Sequence, residues 1–301
     1  MRHAVQDVPP RRRARLGRLA LTLAVVALVA LVVAPSAFAG FITPKEGGSP
    51  NADNIASLYK VILYIAAVVF VIVEGALFYS VYKFRAKRGA VAAQIHGNTR
   101  LEIGWTVAAA LILVALTVVT FVKLPAIINP PDSSANGLVL SASVTRPTPP
   151  NGKAVTICVQ GRQYIWRYTY GSGCLNAAFS AKLPYSYSTM YAPANTTVIL
   201  DIQASDVIHN WWVPSLGGKV DAVPGYTTYT WFKAPTPGAL YHGQCAQLCG
   251  RSHAAMTAFV HILSPADYKI WLARQTDLIN QANAQVTQLR QILTASGNLG
   301  G

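Results

Sequence analysis

The chain has 301 residues, room for one or two domains, and its 52% hydrophobic against 12% charged side chains point to membrane-embedded segments. Four cysteines in a chain of this length do not make a disulfide scaffold. The formal charge of +14 suggests nucleic acid, but much of it lies in an N-terminal arginine cluster and a short loop between apolar runs, and that distribution excludes nucleic acid as a partner.

Residues 1–18 hold Arg11, Arg12, Arg13, Arg15 and Arg18; residues 19–34 are an unbroken apolar run of sixteen, followed by Pro35-Ser36-Ala37-Phe38-Ala39-Gly40. A basic region, a short apolar core and an A-x-A site predict a cleavable secretory signal over 1–39, with an uncleaved third membrane helix as the competing reading. Residues 40–57, rich in Gly, Pro, Asn and Ser, read as a solvated extracytoplasmic arm. Residues 58–82 and 103–124 are each apolar and long enough to cross a bilayer, and they predict a transmembrane hairpin over 58–125. Its connection carries Lys83, Arg85, Lys87, Arg88 and Arg100 with no acid before Glu102, which puts the connection in the cytoplasm and both flanks outside. Glu74 falls mid-span, where an ionisable group is costly; it reads as a neutral group bonded in a helix interface, with a proton relay as the alternative. Glu102, at the start of the second span, reads as a helix N-terminal acid favoured by the dipole.

Beyond a Pro-, Ser- and Asn-rich stretch, short runs at 154–159, 163–170, 196–202, 227–232 and 257–263 combine Val, Ile, Thr and aromatics between Gly, Pro and Asn clusters. That spacing predicts an antiparallel β-sandwich within 126–263. Cys158 and Cys174, sixteen apart, read as a structural disulfide adding about 3 kcal/mol, with buried free thiols as the alternative. A helical tail follows over 264–301, starting at Ser264 or Pro265 and keeping Leu and Ile at helical intervals from 276 to 294.

One segment concentrates the chemistry. Tyr241 to Met256 reads YHGQCAQLCGRSHAAM and brings Cys245, Cys249, His253 and Met256 together at intervals of four, four and three. Thiolate, imidazole and thioether form a soft-metal donor set that selects copper. Zinc is the competitor, but its structural sites favour tight C-x2-C pairs and seldom use Met. A mononuclear blue-copper site needs one Cys, so the second thiolate either bridges a second metal or pairs with the first as a disulfide.

This segment resembles the CuA loop of cytochrome c oxidase subunit II, and residues 206–225, DVIHNWWVPSLGGKVDAVPG, resemble the family's second signature. The resemblance implies a cupredoxin-like Greek-key sandwich or barrel after the two-helix transmembrane hairpin, with the ligand loop joining the last two strands. It implies a dinuclear copper CuA centre in which Cys245 and Cys249 bridge, His209, His253 and Met256 are terminal ligands, and Gln247 lends its backbone carbonyl. Leu101-Glu102-Ile103-Gly104-Trp105-Thr106 resembles the segment whose Glu stands at the mouth of the K proton channel. Gly161-Arg162-Gln163-Tyr164-Ile165-Trp166 resembles the aromatic patch through which an electron arrives from cytochrome c, with Tyr164 where the family generally has Trp and Trp166 as the next aromatic. Gln247 stands where many relatives have a Glu that also reaches magnesium at the subunit I border, so magnesium binding is weakened.

The function implied is subunit II of a proton-translocating cytochrome c oxidase in a bacterial plasma membrane, with the copper domain extracytoplasmic. It passes electrons from a c-type cytochrome to heme in subunit I, where dioxygen is reduced. Subunit III, membrane lipid and a thiol-reducing copper chaperone are further implied partners. Rival readings are a CuA subunit of a nitric oxide reductase and a membrane-tethered copper carrier or sensor. From Ala126 onward eleven Lys or Arg face six Asp, opposite to the acidic surface with which relatives receive a basic cytochrome c, so a less basic, membrane-bound or complex-bound donor is expected.

Overall fold

The structure, a computed structural model, describes residues 43–85, 91, 94, 97–132, 149–171, 173–174 and 180–296. Two compact units partition the chain, Met1–Thr43 and Pro44–Gly301. The proposed signal over 1–39 lies outside the described residues, as do Lys87 and Arg88 of the hairpin connection. All that follows concerns the second unit.

Helix α1 spans Pro50–Lys83 and α2 spans Thr99–Ile128. Both are long and apolar enough to cross a membrane. Helix α1 begins eight residues ahead of the expected 58, because Pro50 is pre-set for a first helical turn and Asp53 complements the N-terminal dipole. The segment expected to be a solvated arm is instead partly packed: Ser49, Asn51, Ala52 and Ala56 are buried. Asn51 Nδ2 donates to the Trp231 carbonyl at 3.1 Å, and the Lys233 N–H donates to Ser49 Oγ at 3.1 Å. Those bonds tie the helix start to the β-domain. At the same end, Lys123 Nζ meets Ser57 Oγ at 2.8 Å and Asn54 Nδ2 donates to the Ala126 carbonyl at 3.0 Å, joining α1 to α2. Helix α2 continues through Pro125 rather than stopping before it. At its start Asn98 Oδ1 accepts from the Leu101 N–H at 3.2 Å while Glu102 accepts from the Asn98 N–H at 3.3 Å, a reciprocal cap.

Among the described residues, ten strands form two five-stranded sheets. The first sheet runs β3 (Tyr185–Tyr187), β2 (Ile165–Tyr170), β1 (Val155–Arg162), β5 (Val198–Ala204), β8 (Thr228–Phe232). The second runs β4 (Thr189–Pro193), β10 (Thr257–Leu263), β9 (Leu240–Cys245), β6 (His209–Trp212), β7 (Val220–Ala222). Alternating inward residues of both sheets, among them Ile157, Val159, Leu200, Met190, Val260 and Ile262, make one core. Pairing is antiparallel except between β1 and β5 and between β10 and β4, which are parallel. Neither of these pairs is consecutive in sequence, so no hairpin turn constrains it to run antiparallel. This is the two-helix hairpin with a cupredoxin-like sandwich that the sequence led us to expect.

Cys158 and Cys174 are joined by a disulfide with both residues buried, which decides against the free-thiol alternative. Helix α3 (Pro265–Ala295) starts where Ser264 Oγ accepts from the Asp267 N–H at 3.1 Å. Its first turns pack on the second sheet through Trp271, stacked on Tyr191 at 4.5 Å, while Val286, Leu289 and Ile292 further along are exposed.

Candidate metal centre

Cross-strand pairing brings the two signatures together. Strands β6 and β9 are hydrogen-bonded neighbours with Trp211 opposite Cys245, so His209 and the end of β9 lie side by side. The ten residues between Cys245 and Met256 form a loop whose ends are clamped: the Cys245 N–H donates to the Met256 carbonyl at 2.9 Å, and β9 and β10 pair directly beyond. A further bond, Ala246 N–H to the Asn210 carbonyl at 2.9 Å, fixes the loop's exit to β6. Rigid strands thus hold both signatures, as a preorganised site requires.

Within this frame the donor atoms converge. His209 Nδ1, Cys245 Sγ and Cys249 Sγ all lie within 4.8 Å of one another. Cys245 Sγ is 3.9 Å from His209 Nδ1 and 4.0 Å from Cys249 Sγ, and both thiols are free and buried. Cys249 Sγ is in turn 3.6 Å from His253 Nδ1 and 4.0 Å from Met256 Sδ. The Gln247 carbonyl oxygen comes within 3.3 Å of Cys245 Sγ. His209 and the Gln247 carbonyl thus stand beside Cys245, and His253 and Met256 beside Cys249, with one imidazole next to each thiol.

Two residues that spacing alone did not single out set this geometry. Asp206 Oδ1 bonds His209 Nε2 at 2.9 Å, which leaves Nδ1 as the nitrogen turned toward the sulfurs. Asp206 is itself fixed by the Gln163 N–H at 2.8 Å and the Val207 N–H at 2.7 Å. Burial pushes its pKa up, but these donors and His209 outweigh burial and hold the carboxyl below its ordinary range. Gln163 serves again on the other side, where its Nε2 donates to the Cys249 carbonyl at 2.6 Å. In sequence Asp206 opens the 206–225 signature and Gln163 lies in the 161–166 patch, but neither carried this role.

Electrostatics separates the two thiols. Burial disfavours both thiolates, yet at Cys245 hydrogen bonds to His209 and to the Asn210 backbone prevail and lower the pKa from 9.0 to about 6. At Cys249 burial prevails and repulsion from Cys245 adds to it, raising the pKa to about 11. At His209 burial opposes charge, but bonds to Cys245 and Asp206 outweigh it and the pKa rises.

The aromatics divide by depth. Trp166 is fully buried and meets His209 edge-on, ring centroids 5.9 Å apart, so it cannot touch a partner protein. Tyr164 is half-buried at the surface beside the ligand loop. Gly250, at φ +133°, lets the loop pass under it: a Cβ there would stand 2.5 Å from the Tyr164 hydroxyl. Trp211 is buried and its Nε1 donates to the Tyr168 hydroxyl at 3.3 Å, while Lys219 lies over the half-buried Trp212 ring at 4.7 Å. Glu102 is far along the chain in its helix cap, and Glu74 is half-buried on α1.

Comparison with known proteins bears on the family of the chain. Residues 177–263 match the family described as cytochrome c oxidase subunit II, periplasmic domain, and residues 39–122 match its transmembrane domain. Cytochrome c oxidase subunit 2 of Alkalihalophilus pseudofirmus is 31% identical over 262 residues, 86% of this chain and 70% of that protein. The chain belongs to the cytochrome c oxidase subunit II family. The subunit 2 of Cereibacter sphaeroides is likewise 31% identical over 289 residues, covering 84% of this chain and 86% of the relative. Among solved structures, the periplasmic domain of subunit II of cytochrome oxidase from Bradyrhizobium japonicum is 26% identical, covers 42% of this chain and 96% of its own, and superposes with a TM-score of 0.37. As a subunit II, the chain presents a copper-type donor cluster where β6 meets the end of β9.

Proposed function

We propose that this subunit II holds a dinuclear copper centre through Cys245 and Cys249 as bridges, with His209, His253, Met256 and the Gln247 carbonyl as the remaining ligands. The observation that carries the reading is the placement of two free thiols 4.0 Å apart with an Nδ1 imidazole beside each. A single-metal site leaves one of these thiols without a role. When bound, the copper pair supplies a one-electron relay.

The chain's residues then do the following. Asp206 keeps the His209 proton on Nε2 and so keeps Nδ1 open for metal. Trp166, Trp211 and Met256, all buried, exclude water from one side of the donor set. Tyr164, half-buried beside Gly250, is the aromatic through which electrons from a c-type cytochrome reach the site. Electrons leave to heme in subunit I, where dioxygen is reduced to water and protons are pumped, with Glu102 helping to load protons on the opposite side. Residues 1–39 act as an export signal, the hairpin crosses the plasma membrane and the sandwich lies extracytoplasmically. A thiol-reducing copper chaperone keeps Cys245 and Cys249 from oxidising together before metal arrives. Gln247, a neutral amide exposed at the loop, contributes less to magnesium than a carboxylate would.

The test is copper stoichiometry together with the X-band EPR spectrum of the full-length chain loaded under reducing conditions and then oxidised by one electron. Two coppers sharing one unpaired electron, seen as seven hyperfine lines, support the relay. One copper with four lines would turn the reading toward a copper carrier.

A further inference from the structure

The joint between the membrane hairpin and the sandwich is built around one residue. In β8 the neighbours Trp231 and Phe232 are both buried, but Phe232 belongs to the sandwich core and Trp231 lies outside it. Trp231 Nε1 reaches the end of α2 and donates to the Ile127 and Ile128 carbonyls at 3.0 and 2.9 Å, acceptors of the kind a helix end leaves without a partner. The Trp231 carbonyl accepts from Asn51 Nδ2, in the first turn of α1, at 3.1 Å. Trp231 is therefore bonded to both membrane helices where each meets the sandwich.

Packing alone does not fix this joint. A cavity of about 470 Å³ opens beside it, lined by Ile55, Ile127, Ile128, Lys219, Tyr226 and Trp231 among others. A close-packed interface resists tilting through its contacts, whereas a hollow one leaves the angle to its hydrogen bonds. The remaining ties, the Lys233 N–H to Ser49 Oγ, Lys233 Nζ to the Asp132 carbonyl and Thr197 Oγ1 to the Pro131 carbonyl, hold the chain just outside the helices. From Trp231 the bonds run on toward the donor set. Thr228 Oγ1, three residues back along β8, donates to the Asp221 carbonyl at 2.5 Å, and β7 pairs with β6, Asp221 opposite Asn210 and Ala222 opposite His209. Asp221 Oδ1 adds a second tie by accepting from Asn210 Nδ2 at 2.6 Å. Two short strands and their bonds thus lead from both helix ends to the strand carrying His209.

Resting on the function proposed above, we infer that Trp231 is a positioning residue for electron transfer: by gripping both helix ends it fixes the height and tilt of the donor set over the membrane, and so over heme in subunit I. It touches no ligand and no reacting atom, and acts through β8 and β7. Electron transfer falls off steeply with distance, so a sandwich free to rock on its hairpin spends part of its time too far from the acceptor. Trp231→Phe keeps an aromatic ring in place and deletes the N–H shared by the two carbonyls, which leaves those buried acceptors unpaired and the tilt unrestrained.

The experiment measures, by double electron–electron resonance, the distance between nitroxides placed at Phe70 and Tyr187 of the full-length metal-free chain in nanodiscs. Both positions are exposed, one on α1 and one on β3, and the labels ride on unnatural ketone side chains so that Cys245 and Cys249 stay unmodified. The wild type gives one narrow distribution. Trp231→Phe adds a second, its displaced population up about tenfold, and Asn51→Ala does the same at smaller amplitude. In the assembled oxidase the same variants split electron transfer to heme into two phases, the slow one matching the displaced fraction, while the copper EPR spectrum is unchanged. A residue that only stabilised the fold would lower the yield of complex and leave a single phase at the wild-type rate. Single-phase transfer of that kind, a wild type already split, or unchanged distances in Trp231→Phe overturn the inference; where Trp231→Phe does not insert, unchanged distances in Asn51→Ala do so. The distances are read without metal, so absence of the two-copper signal in the wild type counts against the copper relay and leaves the distance result standing.

Discussion

His209 and Cys245 sit on paired strands, whereas Cys249, His253 and Met256 sit on a loop and its short 3-10 turn, His253–Ala255, and the two halves of the donor set are held by different means. The strand-held half is fixed by the backbone ladder and by Asp206, which locks one imidazole tautomer. The loop-held half relies on a clamp at its base, a left-handed glycine and one side-chain bond from Gln163. A metal that must change charge without moving its ligands profits from both: the strands set position, and the loop supplies the extra donors in little sequence.

Removing a bridge tests whether the halves form one site. Cys245→Ser and Cys249→Ser are each expected to lose the two-copper complement entirely, and metal analysis with EPR on the loaded chain checks this. A variant that still binds two coppers with shared spin would show that the thiols are not bridges.

The thiols should also differ sharply without metal. Held at about 6 and about 11, they predict that the reduced chain has Cys245 as thiolate and Cys249 as thiol at neutral pH. The absorbance of thiolate near 240 nm, followed against pH, is therefore expected to climb in two separated steps. One step near 9 would mean that strand and loop impose no difference on their sulfurs.

Asp206→Asn keeps the shape of the side chain and removes its charge and its fixed acceptor role. Loss of such an orienting carboxylate typically costs about 10- to 100-fold in metal affinity. Competition for copper against a chelator measures it, and no loss would show that the ladder alone positions His209.

Much of this site was legible because its donors are chemically rare and their spacing is short: Cys245, Cys249, His253 and Met256 declare themselves within sixteen residues. His209 needed the second signature, since no periodicity joins it to a loop 36 residues away. Strands β6 and β9, which make that join, escaped the strand pattern because they carry His209, Asn210, His242 and Gly243 in place of alternating β-branched residues. The same blindness hid the burial of Asn51: a Gly-, Pro- and Ser-rich stretch looks solvated until the β-domain supplies the Trp231 carbonyl as its partner. Trp166 and Tyr164 show the limit from the other side. Two positions apart on a strand they should share a face, but Tyr164 precedes β2 in the turn, so one is buried and the other meets solvent.

The smallest effect falls on the loop side. Gln163→Ala deletes the 2.6 Å bond to the Cys249 carbonyl but leaves the Gln163 N–H bond to Asp206, because that bond comes from the backbone. A neutral hydrogen bond of this kind is worth about 1 kcal/mol, so copper affinity should fall about fivefold, less than for Asp206→Asn. The loss should appear in the spectrum of the loop-held ligands, with hyperfine coupling from His253 changed and that from His209 kept. If instead both imidazole couplings shift together, loop and strands respond as one rigid body, and the division between the two halves of the centre disappears.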